Sequence, residues 1–591
     1  MLKRFALLLA VLTWPAIALA AFFSPCCYNN SLNVTFTHVE IVGAGAITGI
    51  TSVPSANLLL ARTDQYGCYK SVNNSQWSEL VTTNAMPASA VTVAAGGPID
   101  AGGCEELVGD PSNIQNLWIF FNKNIYLSTN GGTSFSSTCY PAQASDLSNT
   151  GPAKTMSPRI AVDPNNSNVV YFSTHSAGLE VTYNQGSTCT AISTATIAAP
   201  TSNSGFLVAF DPSGGTTTSC AGGVALCTKS IYVSSYGTGV YHSNDGGQTW
   251  TLTTGTPTTH LYMTVDSTGV LWFVDNSNNN GLGVAHKYAA SAWAAPTFTH
   301  NNILTSVAFD PNNCSTSATC HVVFMIGGGG TTGGTTALTQ NGGGAWAVAT
   351  GYTPSTTDAP WLANVWTTIG LFPNGAAFDN SGHVYTGLEG VGFTTPPTTA
   401  TTLTMTSQTL GIEEAEVSSL STSPNTSGSL LAGNWDVGSF TLSAPYNSPP
   451  TSSNHGCAGQ TSFQHAYSID WAEANPSDFA CLSDNQQGYI GGTYTSYSGL
   501  SSNGGSTWGT FTVPSAISTG GHIGGCMAAS SSTNILWAPT DGSSGATAPL
   551  YTTDSGSTWN FISVSGVTQG WGIQYYFSGR FCAADRVNAG T

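Results

Sequence analysis

SNDGGQTW, residues Ser243–Trp250, is the stretch on which the fold turns. It has the form of a tight β-hairpin connection. Asp245 can accept hydrogen bonds from its own turn, a glycine supplies the positive φ angle, and Trp250 covers the turn from the next strand. The pattern Ser/Thr-x-Asp/Asn-x-Gly-x-x-aromatic recurs as STNGGTSF at Ser128–Phe135 and TQNGGGAW at Thr339–Trp346. It recurs again as SSNGGSTW at Ser501–Trp508 and TTDSGSTW at Thr552–Trp559. The Asp or Asn of each copy is a turn-holding residue rather than a catalytic one.

Outward from these hairpins lie apolar, β-branched runs that end in Asp-Pro. RIAVDPNNSNVVYFS surrounds Asp163, FLVAFDPSG surrounds Asp211 and SVAFDPNN surrounds Asp310, with a related SIDWAEANPSD around Asn475. Strand, turn, strand and hairpin make a four-stranded unit of roughly fifty residues, and such units in series are the mark of a β-propeller. Helical periodicity is absent over any long window, so the chain reads as all-β.

Composition narrows the partner. Charged residues are 7% of the chain, against a usual quarter, and the formal net charge is -18. Nucleic acid and anionic membranes need basic patches, so neither is expected as a partner. Fifteen Trp and twenty-two Tyr provide a core that disordered chains lack. The surface should be polar but uncharged, which suits a neutral, hydroxyl-rich polysaccharide.

The N-terminus reads as an export signal over residues 1–20. Lys3 and Arg4 are followed by the apolar run Phe5–Leu12 and by Ala18-Leu19-Ala20, a small-residue cleavage site. The expected location is therefore extracellular, and the expected state a monomer. All fourteen cysteines lie beyond that site, which favours disulfides. Cys220 with Cys227 and Cys314 with Cys320 are close enough in sequence to staple their own loops. No Cys-x-x-Cys pair and no His/Cys cluster offers a metal site, so neither metal nor cofactor is expected.

Two further stretches carry a resemblance. One is TGITSVPSANLLLARTDQYGCY at Thr48–Tyr69. The other is GIEEAEVSSLSTSPNTSGSLLAGNWDVGSF at Gly411–Phe440, followed by SIDWAEANP at Ser468–Pro476 and AADRVN at Ala583–Asn588. In that order they resemble glycoside hydrolase family 74, the xyloglucanases, whose Asp-box hairpins the repeated turn also resembles. The resemblance implies two tandem seven-bladed propellers with a substrate cleft between them; the second is expected to be incomplete here, either because the sequence is a fragment or because that propeller is shortened. It places the first propeller at residues 21–400 and the second at 401–591. It also implies an inverting hydrolase acting inside a neutral polysaccharide, with Asp64 as general base and Asp436 as general acid.

The chemistry is coherent. Inversion needs two carboxyl groups roughly 6.5–9.5 Å apart, one protonated for the leaving oxygen and one ionised to activate water. Simpler roles are an ion pair with Arg62 or a turn cap for Asp64, and a hairpin turn before Gly438 for Asp436. Trp435, Trp361, Trp366, Tyr467 and Trp471 are the candidate sugar platforms, because pyranose faces stack on aromatic rings; inter-blade packing is their other use. Glu413 and Glu414 lie in one of the family-like motifs and are expected either to be structural or to support the catalytic residues without touching substrate. The chain departs from the family at Gln65-Tyr66-Gly67-Cys68, at Trp435, and after Phe440, where TLSAPY replaces a charged run. A non-catalytic Asp-box propeller is the alternative. A sialidase would need three arginines around its substrate, and the mature chain has only Arg62, Arg159, Arg580 and Arg586.

Overall fold

The structure is a computed structural model. It describes residues 39–591 apart from 44, 66, 92–102, 141–153, 175–177, 203, 277–282, 299–302, 328–334, 370–372, 423–428, 435–436, 445, 447, 451–456, 458–464, 485–495, 519–523, 540–547, 563–581, 586–587 and 589–591. Residues Glu40–Thr591 form one compact unit, the second of the chain's two divisions. The expected export signal lies outside the described residues.

The described residues form ten sheets, all within the second unit and numbered in chain order. Sheet 1 is built from Ile47–Val53, Leu58–Thr63, Cys68–Val72 and Ser78–Glu79, each antiparallel to the next. Sheets 2 to 6 repeat this four-stranded meander. Sheet 7 has a fifth strand, Gly351–Ser355, laid parallel on its outer strand Thr402–Ser407. Sheet 7 thus runs seven residues past the boundary expected at residue 400.

The innermost strands of the first seven sheets touch in succession, and the ring closes where Asn374–Phe378 of sheet 7 meets Ile47–Val53 of sheet 1. At that seam Asn374 donates to the Ile47 carbonyl at 3.0 Å. Gly375 sits at φ +74°, and a Cβ there would lie 2.5 Å from the Ile50 nitrogen. Only glycine tolerates both the angle and the approach. Strands such as Leu58–Thr63 are buried along their whole length because sheets cover both faces.

The turns explain the repeats. Six of the seven ring sheets carry a buried Asp where the buried run of their first strand gives out: Asp110, Asp163, Asp211, Asp266, Asp310 and Asp379. Each accepts backbone N–H bonds from the turn it opens, as Asp163 does from Asn165 at 2.8 Å and Asp310 from Asn312 at 3.0 Å. In the hairpins, Ser243 Oγ donates to Asp245 at 2.8 Å and accepts from the Gly247 N–H at 2.9 Å. Trp250 Nε1 closes the turn onto the Gly247 carbonyl at 3.1 Å. A sixth hairpin of this kind, TYNQGSTC at Thr182–Cys189, makes the same bonds through Thr182 and Asn184. Its aromatic is replaced by Cys189, which is covered instead by a disulfide to Cys139.

Sheets 8, 9 and 10 form the second array. Their first strands, Val417–Thr422, His465–Trp471 and Gly525–Ala529, pack in order. Cys220–Cys227 and Cys314–Cys320 are bonded as the spacing anticipated, alongside Cys68–Cys104, Cys457–Cys481 and Cys526–Cys582. Asp266 stands beside the Cys314–Cys320 pair, but disulfide sulfurs are not thiolate ligands. Among the described residues no helix is long and apolar enough to cross a membrane.

Candidate active site

Asp64 directly follows the buried strand Leu58–Thr63, so the position of its backbone is set by the core. Its N–H donates to the Ala46 carbonyl at 3.2 Å. Against it packs Gly103, where a Cβ would lie 2.4 Å from the Asp64 carbonyl. The next residue, Cys104, is bonded to Cys68 at the start of the following strand. Sheets 1 and 2 are therefore joined covalently beside the carboxylate.

Arg62 does not pair with Asp64. Its guanidinium is 2% exposed and lies 3.3 Å from Glu106, itself fully buried. It also donates to the carbonyls of Glu105, Thr155 and Met156. A buried guanidinium has five N–H groups and no water around it, so these carbonyls and Glu106 take up most of them, while Nε has no partner among the described residues. Glu106 in turn accepts from Ser157 Oγ at 2.9 Å and the Arg159 N–H at 2.7 Å.

This network fixes the turn at residues 154–156, and Lys154 is its outermost member. Lys154 Nζ donates to Asp64 Oδ2 at 2.6 Å, with the two side chains 27% and 18% exposed. Among the described residues Asp64 Oδ1 has no partner, so one carboxylate oxygen is anchored and the other is available. Nothing in the sequence links Lys154 to Asp64, ninety positions earlier.

Trp435 and Asp436 lie outside the described residues. Around them, Ser429–Asn434 is the second strand of sheet 8 and Ser439–Ser443 the third. The Asn434 N–H donates to the Gly438 carbonyl at 2.6 Å, and Gly438 has φ +80°. Asp64 and Asp436 thus share a place in sequence, each just after the second strand of a sheet.

The other aromatic assignments change. Trp361 and Trp366 are 0% and 1% exposed, so neither ring can present a face to a sugar. Trp361 Nε1 donates to the Ile41 carbonyl at 2.9 Å, and its ring meets Phe440 edge-on at 5.2 Å. Trp366 lies on the short helix Leu362–Ile369, and its carbonyl accepts from Tyr352 Oη. Both are packing residues, since a large apolar ring gains most by full burial. Tyr467 is also buried, and its hydroxyl donates to Asp484 at 2.7 Å. Trp471 is half-buried against the sheet 8–9 core.

Tyr467 belongs to a cluster that the sequence did not disclose. His465 Nδ1 lies 3.0 Å from Tyr467 Oη and 3.3 Å from Asp484 Oδ1. His465 and Asp484 face each other across the first two strands of sheet 9, a pairing visible only once the register is known. Glu413 binds the start of the compact unit. The Glu413 carboxylate accepts from the N–H groups of Ile41 and Val42 at 3.2 and 3.0 Å. Burial pushes its pKa up to about 8. Arg62 and Arg159 are 2% and 0% exposed, which removes both from any substrate-carboxylate site.

No protein-family profile matches the chain. A curated xyloglucanase from a Paenibacillus species is 28% identical over 278 residues, 44% of this chain and 26% of the relative. The chain therefore matches about a quarter of that relative's length. Among solved structures, a family 74 xyloglucanase from Xanthomonas campestris superposes with a TM-score of 0.71 at 21% identity, covering 90% of this chain and 75% of that one. The family 74 enzyme of Niastella koreensis gives 0.70 at 22%, covering 91% and 75%. At these identities the structural matches establish the fold alone. In sequence and in fold, the chain is similar to the xyloglucanases of glycoside hydrolase family 74.

Proposed function

We propose that the protein is an exported glycoside hydrolase that cuts the backbone of xyloglucan or a related neutral polysaccharide with inversion. The observation that carries this reading is Asp64, a partly open carboxylate with one oxygen anchored, at the end of the strand that carries the xyloglucanase-like ARTD motif. Asp64 removes a proton from water as the water oxygen bonds to the anomeric carbon. The glycosidic C–O bond breaks, and Asp436 gives its proton to the departing oxygen. Six disulfides and the signal-like N-terminus support export.

The test is reducing-end release from purified xyloglucan by the full chain and by Asp64→Asn and Asp436→Asn. Activity lost in both variants supports the pair. Activity retained in Asp64→Asn removes that residue from the base role. A second reading, a non-catalytic glycan-binding propeller, draws on the Lys154 contact, because a bound cation also quiets a carboxylate. It gains if the folded wild-type chain binds xyloglucan without cutting it.

A further inference from the structure

The geometry points to a second glycan-binding site, a neutral groove on the outer rim of the ring between sheets 6 and 7. The groove has a volume of about 420 Å³, and its lining includes Gln340, Asn341, Ala345, Trp346, Thr399 and Ala400. Among the described residues no charged side chain lines it. Amides, hydroxyls and an indole are the chemistry that recognises an uncharged, hydroxyl-rich chain.

One departure among the six hairpins sets this place apart. In the other five, the hydroxyl four residues after the Asp or Asn holds its second polar atom. Asn130 Nδ2 donates to Ser134 at 2.8 Å, Asn184 to Thr188 at 2.8 Å and Asn503 to Thr507 at 2.8 Å. Asp245 and Asp554 accept from Thr249 and Thr558 at 2.5 and 2.6 Å. At Thr339–Trp346 the fourth residue is Ala345, which has no hydroxyl. Asn341 Oδ1 still accepts from Thr339 Oγ1 at 2.9 Å and from the Ala345 N–H at 2.8 Å, so the turn is intact. Its Nδ2 has no partner among the described residues. The exposed Gln340 amide has none either. Trp346 is held by Phe298 at 4.8 Å and Phe324 at 5.5 Å, so its ring forms a fixed wall.

The groove is distinct from the Asp64 site. The hairpin lies where the second strand of sheet 6 begins, since Val322 pairs with Thr339. Asp64 lies where the second strand of sheet 1 ends. The two therefore sit on opposite faces of the ring. A polymer long enough to reach both would be held more tightly than by either alone. This inference takes its choice of probe from the proposed function.

The test is affinity electrophoresis through xyloglucan gels with the full-length Asp64→Asn chain, alone and carrying Ala345→Thr or Ala400→Trp. Ala345→Thr restores the bond its sister hairpins make, so it caps Asn341 without disturbing the fold. Each change should weaken retention roughly tenfold, about the worth of a lost amide contact or a filled groove. Retention unchanged in both overturns the site, as does equal retention of the parent on anionic polygalacturonate. In a chain with Asp64 intact, Ala345→Thr should leave hydrolysis of short xyloglucan oligosaccharides unchanged. A parallel fall there would place the bound sugar at Asp64 and overturn the groove. If the intact chain cuts nothing, the proposed function fails while the retention difference still decides the groove.

Discussion

Lys154 touches the proposed base, and its worth can be measured. If Asp64 is that base, the 2.6 Å contact to Oδ2 leaves Oδ1 as the oxygen to face the attacking water. Lys154→Met should lower kcat on xyloglucan about tenfold with KM little changed, and Lys154→Arg should restore most of the loss. Initial rates of reducing-end release decide this, and a kcat for Lys154→Met equal to wild type would sink it. Two residues before Asp64, Arg62 plays an unrelated part. Replacing it with Met leaves Glu106 buried and unpaired, which should cost about 3–5 kcal/mol. Denaturant unfolding reads that loss, and a change below about 1 kcal/mol would mean that Glu106 finds another partner. Asp64 was legible in the sequence through the ARTD motif. Its true partner was not, because a sequence shows neighbours along the chain, and Arg62 is nearer in that sense than Lys154.

At the scale of elements, legibility followed turn chemistry. Five hairpins were visible because glycine and a covering aromatic are both required by the turn. The sixth was hidden because a disulfide at Cys189 does the covering. Asp163, Asp211 and Asp310 were found beside Pro in recognisable strand runs, whereas Asp266 and Asp379 open their turns without Pro and passed unnoticed. Trp361 and Trp366 misled because a buried ring and a sugar platform have the same local sequence; only the packing of helix Leu362–Ile369 separates them. The close approach of two elements yields a further prediction. The segment leading into Cys104–Asp110 presses on the end of Leu58–Thr63, and Gly103→Ala would put a methyl 2.3 Å from the Thr63 carbonyl. Backbone cannot yield as a flexible side chain does, so Asp64 must shift. A displacement near 1 Å should cost roughly a hundredfold in kcat, while the fold loses only the few kcal/mol of a local overpacking. Full activity in a folded Gly103→Ala chain would show that the placement of Asp64 is not critical.

Across the whole compact unit, residues 40–43 are the tie between its beginning and its later part. Glu40 donates its N–H to the Tyr446 carbonyl at 3.0 Å, and Gly43 bridges to Glu413. The Glu413 carboxyl caps Ile41 and Val42 across 372 positions, and Tyr69 Oη donates to the Glu413 carbonyl at 3.0 Å. The GIEE motif marked Glu413 as structural or as support for the site, but the segment it clamps could not be read at such a distance. Burial raises its pKa from an ordinary 4.5 to about 8, so the folded chain keeps a proton that the unfolded chain releases. The stabilisation from this group is full below about pH 4.5 and falls away as pH rises through about 8, because over that window the native state binds more protons than the unfolded one. Glu413→Gln imitates the protonated acid and does not titrate. Thermal midpoints of the two proteins from pH 4 to pH 9 should therefore lie closest at the acid end, with the wild type falling progressively below the variant up to about pH 8. A difference between them that stays constant across that range would mean that Glu413 is ionised in the folded chain, and that its two backbone bonds outweigh its burial.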